Sequence, residues 1–106
     1  MQRFSAVVLF ISLACSAKVA LADTEQLKIM LQRNNCTACH MIDKRKYGPT
    51  LKEVAAKYAG DTTALDKLSA KIKAGGTGVW GEDIMPPQSI SKADARKIAE
   101  YILALE

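Results

Sequence analysis

The chain has 106 residues, with 15 lysines and arginines facing 11 aspartates and glutamates, a net charge of +4. This length allows one domain. No basic stripe with interleaved aromatic residues occurs, so neither the charge nor the composition favours a nucleic-acid partner.

The first 22 residues have the pattern of a secretory signal peptide. Met1-Gln2-Arg3 is a short positive start, residues 4–14 are apolar, and the segment up to Ala22 ends in small residues of the A-x-A type. We predict cleavage after Ala22, a mature domain at residues 23–106, and a periplasmic location without stable membrane insertion. An uncleaved anchor is one alternative, although the apolar run is short for a bilayer. Lipoprotein processing at Cys15 is the other.

Cleavage would change both the charge and the cysteine count. Arg3 and Lys18 would leave, which lowers the net charge to about +2. Cys15 would leave as well, so two of the three cysteines remain and both lie in one motif. A structural disulfide elsewhere is therefore excluded. A domain this small commonly needs a metal or a cofactor to complete its core.

The mature chain is predicted to be all-α, with about four helices. The first begins with Asp23 as N-cap and Gln26 in a capping box. Leu27, Met30 and Leu31 then form an apolar stripe at helical spacing. This helix leads directly into the most informative motif of the chain.

Residues 36–40 read Cys-Thr-Ala-Cys-His, which is the attachment pattern of a c-type haem. On a helical turn the two thiols lie on one face with the histidine beside them. We therefore predict that His40 binds the iron from one side. It is the only histidine in the sequence, so one molecule cannot supply two imidazoles.

A basic loop and a second helix follow. Residues 44–46 are Lys-Arg-Lys, which is either a solvated run or a docking surface beside the haem. Gly48-Pro49 predicts a turn. Thr50 with Glu53 predicts a capping box at the start of the helix, and Gly60 predicts its end.

The third helix carries Leu65, Leu68 and Ile72 on its apolar side and ends at Gly75. Residues 75–89 are too rich in glycine and proline for a helix, and a loop this long in a small domain is usually functional. Ser91 is the predicted N-cap of the last helix.

The sixth iron ligand must be another residue, water or a substrate, and the mature chain contains three methionines that could supply it. Met30 lies on the apolar stripe of the first helix, where methionine is usually core filler. Met41 is too close to His40 to reach the opposite side of a haem. Met85 precedes two prolines on the long loop, and their fixed φ lowers the entropy lost in holding its sulfur. We predict Met85 as the ligand.

The motifs together resemble the small bacterial class I cytochromes c, the c-551/c-552 family. The similar segments, in the family's order and spacing over nearly the whole mature chain, are Cys36–His40, Gly48-Pro49, residues 54–60, residues 78–81 and Met85-Pro86-Pro87. The resemblance implies the class I cytochrome c fold, with helices packed around one covalent haem c.

The resemblance also implies roles for individual residues. Cys36 and Cys39 would form the two thioethers, and His40 and Met85 would be the axial ligands of the iron. The Pro49 carbonyl would accept a hydrogen bond from the ring of His40, which orients that ligand.

Further roles in the loop region are implied in the same way. The indole N–H of Trp80 would point at a haem propionate, and Lys71 would lie near one. Gln88 stands where relatives often have asparagine, and its effect on the Met85 ligand does not follow from the sequence. The exposed rim of the haem is predicted to include Ala38, Ile42 and the two prolines after Met85.

An iron closed by His40 and Met85 would carry single electrons and catalyse no bond formation. The predicted protein is a monomeric electron carrier between respiratory redox partners, not an enzyme. The resemblance implies that the partners are reductases or oxidases of a bacterial respiratory chain. The alternative is a haem protein with a labile sixth ligand, acting as a peroxidase or gas sensor. A thioredoxin-like dithiol lacks the expected βαβ surroundings, and a zinc module lacks further ligands.

Overall fold

Four α-helices and one short 3₁₀ turn form the fold in the computed structural model, which describes residues 16–106 and side chains from residue 21 onward. The helices are α1 (Ser16–Arg33), α2 (Leu51–Lys57), α3 (Ala64–Ala74) and α4 (Lys92–Leu103), and the 3₁₀ turn spans Cys36–Ala38. The described residues contain no strand, only an isolated antiparallel bridge between Gly76 and Met85. The predicted all-α class and helix number are confirmed.

Helix α1 begins earlier than the sequence predicts. It starts at Ser16, so Asp23 lies inside the helix and does not cap it, and the predicted capping box with Gln26 is wrong for the full chain. Residues 16–22 are mostly alanine, leucine and lysine, which propagate a helix readily. The predicted leader lies largely outside the described residues, and its cleavage remains a prediction.

The starts of α2 and α4 and the end of α3 agree with the sequence signals. Helix α2 ends at Lys57 with Tyr58 as its C-cap, so the predicted cap at Gly60 is wrong. The Thr50 hydroxyl accepts a hydrogen bond from the Glu53 N–H at 3.0 Å, and the Glu53 carboxylate accepts one from the Thr50 N–H at 2.8 Å. This is the predicted capping box. The Ser91 hydroxyl likewise accepts the Asp94 N–H at the start of α4. Gly75 ends α3 with φ +63°, a conformation that glycine adopts without strain.

Helix α4 is the centre of the core, because α1, α2 and α3 all pack against it. Its buried face and the apolar faces of the other helices form one cluster. The buried members are Leu27, Leu31, Leu51, Val54, Leu68, Ile72, Ile90, Ala95, Ile98, Ala99 and Ile102. The cluster leaves one side of the molecule to the two loops that carry the chemical motifs. No helix within residues 16–106 is both long enough and apolar enough to cross a bilayer.

The turn before α3 is held by Asp61. Its carboxylate accepts hydrogen bonds from the Thr63 hydroxyl and backbone N–H, at 2.6 and 2.8 Å, and pairs with Lys67 at 2.9 Å. The Thr63 hydroxyl, followed by Lys67, lowers the pKa of Asp61 from 3.8 to about 2. The ionised form therefore stabilises the fold above the ordinary pKa, and this contribution is lost as the pH falls through about 2.

We expect Asp61→Asn to lower the urea midpoint of unfolding modestly at pH 7. The difference from the unmodified protein should shrink between pH 4 and pH 2 (roughly the interval between the two pKa values). Glu82→Gln removes one negative charge from a side chain that makes no ion pair in the described part of the chain, and should show no such pH dependence. A pH-independent effect of Asp61→Asn would contradict the assignment.

Candidate haem-binding site

The Cys-Thr-Ala-Cys-His motif lies on a tight turn directly after α1. Asn35 has a left-handed φ of +59°, which reverses the chain between the helix and the turn. The N–H groups of Cys39 and His40 both donate to the Cys36 carbonyl, at 3.2 and 2.9 Å. The turn is 3₁₀ rather than α-helical, and it brings Cys36, Cys39 and His40 to the wall of one cavity.

The two thiols differ in their surroundings. Cys36 is half-buried, whereas Cys39 is exposed. Burial raises the pKa of the Cys36 thiol. No disulfide joins the two cysteines, so both sulfurs are available for bonds to another group.

The His40 ring is fixed by the segment that follows it. Its Nδ1 lies 2.9 Å from the carbonyl oxygen of Pro49, which is buried. A carbonyl can only accept, so Nδ1 carries a proton, and in the neutral ring Nε2 then has its lone pair free for a metal. Pro49 thus has the orienting contact that the resemblance implies.

Gly48 packs against the flat face of the same ring. A Cβ built at this position would press on His40 Cε1 and lie 2.8 Å from Nδ1, closer than real side chains come. The absence of a side chain at Gly48 therefore lets the imidazole stand where it does. The sequence marks Gly48-Pro49 only as a turn, and no pattern in it indicates this contact.

Met85 lies opposite Gly76, where the two ends of residues 77–84 come together. The Met85 N–H donates to the Gly76 carbonyl at 2.9 Å, and the Gly76 N–H donates back to the Met85 carbonyl at 2.8 Å. This pair of bonds closes residues 77–84 into a small loop. Inside it the Thr77 hydroxyl donates to the Glu82 carbonyl at 3.0 Å. The backbone that carries the Met85 sulfur is therefore fixed at one point.

Trp80 stands within this small loop, half-buried and packed against the core cluster. The ammonium of Lys57, at the end of α2, lies 5.3 Å from the centroid of the indole ring. This distance allows a cation–π contact that joins α2 to the loop. Lys57 had no distinguishing mark in the sequence.

The motifs meet at a cavity of about 360 Å³. Cys36, Cys39, His40, Pro49, Trp80 and Met85 all line it, as does Lys71. Its interior is apolar, and the core side chains that contribute are Leu51, Val54, Leu68, Ile72 and Ile102. All six predicted site residues therefore come together in one place.

These residues fit a haem c. The ring requires an apolar chamber, two thiols at one edge, and nitrogen or sulfur donors for the iron. The cavity supplies each of them, with an oriented imidazole and one thioether among its walls. Within the described residues no group of three or more His, Cys, Asp or Glu side chains could hold a bare metal ion.

The residues predicted for the rim of the haem lie in different places, and Pro87 is exposed without lining the cavity. Ala38 and Pro86 are exposed and line the cavity. Ile42 instead packs, half-buried, against the hydrophobic core. The cavity is also lined by three further exposed hydrophobic side chains that the sequence did not single out for the rim, namely Tyr47, Val79 and Ile84. Exposure of a loop side chain depends on the path of the loop, which local pattern does not reveal.

A cytochrome c family model matches residues 28–106 of the chain. Cytochrome c-551 of Azotobacter vinelandii is 50% identical over 74 residues, which cover 70% of this chain and 90% of that protein. Cytochrome c-552 of Hydrogenobacter thermophilus is 44% identical over 77 residues, covering 73% and 79%. The match to the family model begins within α1 and includes every residue that lines the cavity.

The fold is shared with a solved structure. The crystal structure of wild-type Nitrosomonas europaea cytochrome c552 aligns with a TM-score of 0.72 at 45% identity. The alignment covers 74% of this chain and 99% of that chain. The likeness therefore extends over the complete relative, and it confirms the resemblance that the motifs indicate.

Proposed function

The chain belongs to the cytochrome c family, and from that premise we propose that it is a periplasmic one-electron carrier whose haem iron is held by His40 and Met85. The family attaches haem c covalently and transfers electrons, so this chain is an electron-transfer protein and not an enzyme. Cys36 and Cys39 have the spacing for the two thioether bonds.

The observation that carries the ligand assignment is the position of Met85 on the wall of the His40 cavity. Of the methionines in the described part of the chain, only Met85 lines this cavity. Met41 is exposed beyond His40, and Met30 packs against the core. A thioether ligand is soft and favours ferrous iron, so its presence raises the haem potential.

The surroundings of both donors favour electron transfer without bond formation. The Pro49 carbonyl holds the His40 ring, and the bridge to Gly76 holds the backbone of Met85. Donors fixed in this way move little when the iron changes its charge. The bound haem supplies the one-electron couple, and the apolar walls keep water from it. A closed iron also offers no site to a substrate.

Carbon monoxide distinguishes a closed carrier from a peroxidase or gas sensor with a labile sixth ligand. We expect the reduced holoprotein to leave CO unbound at neutral pH, as measured from its absorption spectrum. Rapid CO binding by the unmodified protein would overturn the His40/Met85 assignment and favour the alternative function.

We further propose that the electron partners are respiratory reductases or oxidases that dock beside the cavity. The basic loop reaches the cavity through Arg45, and the loop before Met85 reaches it through Asp83 and the highly exposed Ile84. Lys44 and Lys46 are exposed and make no ion pair in the described part of the chain, and the Lys46 ammonium lies 5.8 Å from the centroid of the Tyr47 ring. Small redox interfaces of this kind are weak and brief, which suits a monomeric shuttle.

We expect Lys44→Gln with Lys46→Gln to slow oxidation by hexacyanoferrate, an anionic probe, because the local positive field attracts it. The deficit should shrink as salt is added, since exposed charges are screened over about 8–10 Å at physiological ionic strength. Lys28→Gln with Lys92→Gln removes the same charge elsewhere and should have a smaller effect. Equal effects of the two pairs in stopped-flow measurements would assign the steering to net charge alone.

A further inference from the structure

The chain segment after Met85 is tied to the C-terminal end of α3 by two hydrogen bonds. Beyond the bridge to Gly76, the Gln88 N–H donates to the Lys73 carbonyl at 2.9 Å. The Lys73 ammonium donates to the Ile90 carbonyl at 2.6 Å. One residue of α3 thus holds the segment at two points, through its backbone and through its side chain.

Each of the two bonds supplies a donor to a backbone carbonyl that would otherwise lack one. Helix α3 ends at Ala74, so the Lys73 carbonyl is among the last four that have no partner within the helix. The Gln88 N–H donates the hydrogen bond that this carbonyl lacks within the helix. Ile90 is buried in the core cluster, and its carbonyl needs a donor there. An ionised donor makes the stronger kind of hydrogen bond, and the Lys73 side chain is half-buried, where water competes less.

The turn from Pro86 to Gln88 is also held by a hydrogen bond. The Gln88 side-chain amide donates to the Pro86 carbonyl at 2.8 Å. Gly75 lies so close beneath the segment that a Cβ there would press on the Met85 carbonyl and come within 2.7 Å of the Pro86 carbonyl carbon. Because it donates to the Pro86 carbonyl, the Gln88 side-chain amide is bound to the backbone of the loop. The segment has little freedom on the side that faces α3.

We propose that Lys73 is a positioning residue for Met85, and that its two bonds set how readily the Met85 sulfur leaves the iron. The proposal rests on the proposed His40/Met85 ligation. Lys73 is absent from the cavity wall, so it would act through the segment rather than by touching the haem. Removing the ammonium releases the Ile90 end of the segment and leaves it held to Lys73 by the Gln88 bond alone, which lowers the cost of displacing the sulfur.

The test measures displacement of Met85 by added imidazole in the ferric holoprotein. The readout is the weak long-wavelength absorption band that reports an iron–thioether bond. Lys73→Met keeps the apolar stem and removes the donor, and Lys73→Arg keeps a cationic donor. Lys92→Met is the matched control, since Lys92 is exposed and makes no ion pair in the described residues.

We expect Lys73→Met to raise the equilibrium constant for displacement roughly tenfold, the order that one hydrogen bond from a charged group represents. Lys73→Arg should recover most of the difference, and Lys92→Met should match the unmodified protein. Amide hydrogen exchange at Gln88 should quicken in Lys73→Met alone. Should that variant fold poorly, Lys73→Leu, which also lacks a donor, gives the same comparison.

Two results would overturn the proposal. One is a Lys73→Met variant with a lower melting temperature but an unchanged displacement constant, which would make Lys73 purely structural. The other is an equal increase in Lys92→Met, which would assign the effect to charge. An unmodified protein that lacks the thioether band contradicts the proposed function itself, so the two failures are distinguishable.

Discussion

Replacing Met85 with alanine is expected to turn a closed haem protein into one that binds CO. The methyl side chain cannot reach the iron, so the sixth position passes to water or to an added ligand. The reduction potential should fall by more than about 59 mV, the equivalent of a tenfold change in relative affinity for one electron. It falls because the thioether, which favours ferrous iron, is gone. Potentiometry and CO titration of the reduced protein measure both effects.

Met41→Ala is the matched control for this experiment. It removes the same side chain from an exposed position one residue after His40. Both the potential and the absence of CO binding should be retained in this variant. If Met41→Ala opened the iron and Met85→Ala did not, the ligand assignment would be wrong and the role of the long loop would have to be reconsidered.

Gly48→Ala is expected to disturb the haem from the other side, through the histidine. Gly48 does not have a positive φ, so its backbone accepts alanine without strain. The new methyl group would instead press on the His40 ring, 2.8 Å from Nδ1. The ring or the loop must shift, which weakens the bond to the Pro49 carbonyl. Overpacking of this kind costs about 1–3 kcal/mol.

We expect Gly48→Ala to lower the melting temperature of the holoprotein and also to change its absorption spectrum and potential. Gly60→Ala separates the two kinds of effect. Gly60 has φ +78° with open space around it, so alanine there strains the backbone but touches nothing. That variant should lose stability and keep the spectrum. A Gly48→Ala protein with an unaltered spectrum would mean that the His40 ring tolerates displacement.

The sequence was sufficient to predict the elements that depend on short-range chemistry. The capping box of Thr50 and Glu53, the Ser91 cap and the glycine that ends α3 each arise from one residue type and its nearest neighbours. The site residues could be predicted for a similar reason. Cysteine spacing and a single histidine restrict haem chemistry severely, and they indicate Cys36, Cys39 and His40 and leave few candidates besides Met85. Pro49 and Trp80 were predicted only because the motifs resemble a known family.

The features that the sequence did not predict depend on contacts between distant parts of the chain, or on helix-forming residues that lie before a capping pattern. Asp23 has a capping pattern, yet the helix-forming residues before it extend α1 back to Ser16. Lys73 resembles any lysine near a helix end, and its bond to the Ile90 carbonyl joins positions 17 residues apart. Such contacts depend on how α3 and the long loop meet, which no local pattern records.

The central claim is that His40 and Met85 close the iron of a one-electron carrier. A potentiometric titration of the purified holoprotein, followed by absorption spectroscopy, tests it most directly. We predict a single reversible one-electron transition in the titration. The spectra should be low-spin in both oxidation states, and the ferric protein should show the iron–thioether band. A high-spin spectrum, or a ferric protein without that band, would contradict the account.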